Sequence, residues 1–86
     1  MAEEQLKTNL KQLRAELETR TGLDDDTRQE LSAIADTIER VLHDPKADYL
    51  EAHASAEDAA LRFEARHPAF ARILSDVTDA LAKLGI

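Results

Sequence analysis

The sequence predicts an all-α fold, a small helical bundle, on three observations. Ala, Leu, Glu, Asp and Arg dominate a chain with only two Gly, two Pro and no Cys, the composition of helices without β-turns or disulfides. Apolar residues recur at alternating spacings of four and three in separate stretches, the period that places them on one face of a helix. Between those stretches stand helix stops and starts: Gly22, Asp44-Pro45, His67-Pro68 and Gly85. Eighty-six residues make one domain.

The first helix is expected over residues 3–21. Leu6, Leu10, Leu13 and Leu17 form its seam, Lys7, Lys11, Arg14, Glu16, Glu18 and Arg20 lie off it, and Glu3 and Glu4 suit the positive helix start. Gly22 ends it, because glycine takes the left-handed conformation of a helix C-cap at little cost. The second helix is expected over 25–43. Leu23 is placed as an apolar staple and Asp24 as N-cap, with Asp25 and Asp26 loading the first turn. Its seam is Leu31, Ile34, Ile38 and Val41, with Leu42 alongside, and Asp44-Pro45 stops it. The short connection makes the two an antiparallel hairpin.

A third helix is expected over 48–66, and here two stripes compete. Tyr49, Ala52, Ala56, Ala59, Ala60 and Phe63 make one, mostly alanine; Leu50, Ala54 and Leu61 make the other. A face of small residues lets a neighbouring helix come close. His67-Pro68 then breaks or kinks the chain, because the residue before proline is pushed out of the α region. Pro68 opens a fourth helix over 68–84, where its missing N–H costs nothing. Phe70, Leu74, Val77, Leu81 and Leu84 form that seam, widened by Ile73, and Gly85 with Ile86 reads as its C-cap.

The bulk numbers turn this architecture towards assembly. Only 22 large apolar or aromatic side chains are available, and 15 Ala bury little each. Small chains without disulfide or metal often complete such a core by oligomerising. A homodimer or higher homo-oligomer is therefore expected, its interface drawn from Leu6, Leu10, Leu13, Leu17, Phe63, Phe70, Leu74, Val77, Leu81 and Leu84. A net charge of −7 repels nucleic acid and anionic membrane surfaces. No apolar run is long enough to span a bilayer. The first ten residues are neither signal nor transit peptide, which points to the cytoplasm. Residues 24–44 carry seven acids against two bases, a solvated helix face or a docking surface for a basic protein.

Chemistry is sparse. Glu64-x-x-His67 has the spacing of ligands in dimetal carboxylate bundles, the one pattern that points to a metal at a subunit interface. Against it, Pro68 sets His67 at a helix boundary, and Glu30, Glu39 and Glu57 lack the inward, apolar setting of further ligands. A boundary histidine that fixes the kink by hydrogen bonding is the plainer account. His43 and His53 match no local ligand spacing, and Asp24-Asp25-Asp26 lacks the alternation and glycine of a calcium loop. Ser32, Ser55 and Ser75 have no nucleophile setting. Helical chorismate mutases clamp a dicarboxylate with inward Arg and Lys, whereas Arg14, Arg28 and Arg40 are scattered among acids. No cofactor and no catalytic activity are expected. The leading reading is a self-associating interaction or scaffold module, with the Glu64/His67 metal bundle as the alternative.

Three segments carry a resemblance: L-K-Q-L-R-A-E-L (Leu10–Leu17), R-F-E-A-R-H-P (Arg62–Pro68) and D-A-L-A-K-L-G-I (Asp79–Ile86). Together they resemble a bacterial family of short proteins catalogued as domain of unknown function 4404. The resemblance implies structural roles for Phe63, His67, Pro68 and Gly85, and it implies no activity.

Overall fold

The computed structural model describes residues 2–44 and 46–85, which form four helices and, among those residues, no strand. These are α1 (Ala2–Thr19), α2 (Asp25–His43), α3 (Tyr49–Phe63) and α4 (Pro68–Gly85). They pack in a ring: α1 on α2, α2 on α3, α3 on α4, and α4 back on α1. Contact is most extensive between α3 and α4 and least between α2 and α3. At one end of the molecule Glu3, Val41, Leu42, His43, Tyr49 and Leu84 surround a shared depression. Starts of α1 and α3 thus meet ends of α2 and α4, so neighbouring helices run antiparallel in an up-down-up-down bundle. It measures 35 × 21 × 20 Å, little more in length than the ~27 Å of an 18-residue helix.

Local chemistry sets the helix starts. Asp24 is extended (φ −72, ψ 163), and its Oδ1 accepts the Thr27 N–H at 2.9 Å. Asp48 does the same at α3, accepting the Glu51 N–H at 3.1 Å. Pro68 is the first residue of α4, and the His67 carbonyl accepts the Ala71 N–H at 3.0 Å.

Two helices end sooner than the sequence predicts. α1 stops at Thr19, short of residue 21, and Gly22 follows at φ +86 to reverse the chain. Arg28, from the first turn of α2, reaches back to the open carbonyls: its guanidinium donates to Leu17 O at 3.0 Å and Arg20 O at 3.3 Å. A cation there satisfies acceptors and opposes the negative helix end at once. α3 stops at Phe63, three residues short of 66. Glu64 still has helical angles (φ −54, ψ −41), and the His67 N–H closes on Phe63 O at 2.8 Å. The chain then turns, so α3 and α4 are two helices packed side by side, not one kinked helix.

α2 ends at His43 as expected. Asp44 organises the turn that follows, its carboxylate accepting the Lys46 N–H at 2.9 Å and its carbonyl the Ala47 N–H at 3.1 Å. Pro45, the other half of that stop, lies outside the described residues, as does Ile86 of the expected C-cap; Gly85, expected as that cap after residue 84, is instead the last residue of α4.

The core is one apolar cluster fed by all four helices. Leu6, Leu13, Leu31, Phe70, Leu74, Val77 and Leu81 are wholly removed from solvent. α3 contributes Ala52, Ala56, Ala59 and Phe63, so the alanine stripe is the one that faces inward. Asn9 is the one polar residue buried in the described structure, 5% exposed, and its Nδ2 has no hydrogen-bond partner among the described residues.

Candidate interaction surface

The sequence placed ten residues at a subunit interface, and the fold brings them together inside a single chain. Leu6, Leu10, Leu13, Leu17, Phe63, Phe70, Leu74, Val77 and Leu81 are buried, and Leu84 packs half-buried against them. The seams that a second copy was expected to cover close on each other. The large apolar side chains that this structure leaves exposed are other residues.

Those residues are on α3. Leu50 and Leu61 are the two large hydrophobic side chains left exposed in the described structure, at 65% and 69%. At 3.6 residues per turn, their separation of eleven positions returns to the same face within about 20°. That face is opposite the buried Ala52, Ala56, Ala59 and Phe63. Exposed Ala54 and Glu57 lie between them on that face, so the outward ridge is Leu50, Ala54 and Leu61 interrupted by one carboxylate. Beside Leu61 runs an open groove between α3 and α4, lined by Ala60, Glu64, Pro68, Ala71, Arg72 and Ser75. It is apolar along its floor, with Glu64 and Arg72 carrying its charge.

The acidic stretch 24–44 is answered by cations from both neighbours. Arg14 of α1 lies 3.4 Å from Asp36 and 3.5 Å from Glu39. Arg62 of α3 pairs with Glu30 through its two terminal guanidinium nitrogens, donates from Nε to Asp58 at 2.9 Å, and lies 5.4 Å from the centre of the Phe63 ring. These carboxylates raise the Arg62 pKa above its ordinary value, the Glu30 hydrogen bond first. Three of the seven acids, Glu30, Asp36 and Glu39, thus face cations of neighbouring helices. Asp24 is held below its ordinary carboxylate value, first by the Thr27 hydroxyl and then by the Thr27 N–H, with smaller help from His67 and Arg66.

The residues of the metal alternative part company. Glu64 is exposed at the end of α3 and faces the outer groove. His67 is half-buried, edge-on to Phe63 at 5.7 Å and to Phe70 at 6.3 Å between ring centres. Its backbone closes the end of α3 and the start of α4, while its ring fills the space between two phenylalanines; that packing fixes the break. Among the described residues no three His, Cys, Asp or Glu side chains gather as a metal would need. Arg20 covers the far side of this corner, 5.7 Å from the centre of Phe70 and held by Glu16 at 2.8 Å. Of the arginines weighed for a dicarboxylate clamp, Arg14 is in ion pairs and Arg28 caps α1.

Fold and surface together define a small antiparallel four-helix bundle with a closed core. The chain belongs to the family described as domain of unknown function DUF4404, whose profile matches residues 6–86. No curated protein and no solved structure matches it. Among the described residues no helix is long and apolar enough to cross a membrane.

Proposed function

We propose that this chain is a non-catalytic, self-associating interaction or scaffold module of the cytoplasm, working through the outer face of α3. One observation carries the reading: two leucines stand on the solvent side of a helix whose core side is alanine. Burial of such a side chain is favourable by about 1.5–3 kcal/mol, and the closed core offers it no place within the chain. The absence of catalysis is part of the reading, and the roles of the charged groups support it. The two carboxylate and guanidinium groups with perturbed pKa, Asp24 and Arg62, are accounted for by a helix cap and by ion pairs between helices.

Light scattering across a wide concentration range tests the reading. The mass per particle is expected to rise from one chain towards two or more. Leu61→Asp is expected to hold it at one chain while circular dichroism and the thermal midpoint stay near those of the parent, since Leu61 has no core contact to lose. A mass of one chain at every concentration would overturn the proposal.

A further inference from the structure

We draw no further inference here: the strongest candidate, the outward ridge of Leu50, Ala54 and Leu61 on α3 with the α3/α4 groove beside it, is an apolar face interrupted by Glu57, and nothing in the structure shows what covers it.

Discussion

α1 and α4 place their largest apolar side chains inside, on single seams, whereas α3 places alanines inside and leucines outside. Both arrangements satisfy the bundle. Leu6, Leu13, Leu74 and Leu81 fill volume that a smaller side chain would leave empty. Ala52, Ala56 and Ala59 do the opposite: they occupy little, and α4 approaches α3 more extensively than any other neighbour does. Which side of a helix is the core side is therefore decided by the space its neighbours leave, and not by hydrophobicity alone.

Truncation breaks the comparison most sharply. Leu13→Ala or Leu74→Ala is expected to destabilise the fold by about 2–5 kcal/mol in urea titration. Leu50→Ala or Leu61→Ala, the same chemical change, is expected to stay within about 0.5 kcal/mol at concentrations where the chain is a monomer. Equal losses at all four sites would mean that α3 does not face outward as described. The reverse experiment comes next. Ala56→Leu adds three carbons where α4 lies close, and is expected to cost about 1–3 kcal/mol by overpacking.

A smaller gain is expected on the leucine-lined side. Asn9 is buried there on the helix of Leu6, Leu10 and Leu13, its Nδ2 unpaired among the described residues. Asn9→Leu is expected to raise stability by about 1–2 kcal/mol, because it removes a desolvated amide. A loss would mean that the amide has found a partner or holds the register.

The smallest effect separates caps from core. Because the folded pKa of Asp24 is lowered, its contribution is fully present above its unfolded value. It is lost as the pH falls through the folded one, in a window from about pH 4 downward. Asp24→Asn keeps a capping oxygen and removes the titration. Its stability profile is expected to converge with that of the parent as acid is added, and an unchanged difference at low pH would exclude the effect.

The seams of α1, α2 and α4 were legible in the sequence because each offers one apolar face, and periodicity then has no choice to make. Asp24, Gly22 and Pro68 were legible for a related reason: their roles are set within a turn of themselves. α3 presented two faces, and periodicity weighs Leu50 and Leu61 no differently from a core pair. Only the closeness of α4 selects the alanines. The Arg28 cap was hidden because it joins residues eleven positions apart across a turn. A seam looks the same whether its partner is another helix of the chain or another chain, and here helices of one chain close on it. Leu50 and Leu61 had already been visible as the competing stripe, and a preference for small residues at a close helix contact would have turned that stripe outward.

The even number of helices has a consequence for how the molecule can be joined to anything else. Glu3 and Leu84 border the same depression, so both ends of the described chain leave from one pole. The opposite pole, with Gly22 and the His67-Pro68 corner, stays clear of them, and the α3 ridge runs along the flank. A tag or a neighbouring domain attached at either terminus leaves that corner unobstructed. A short linker from the last helix back to the first would make a circular permutant, opened between α2 and α3, with the same ring of contacts in a new chain order.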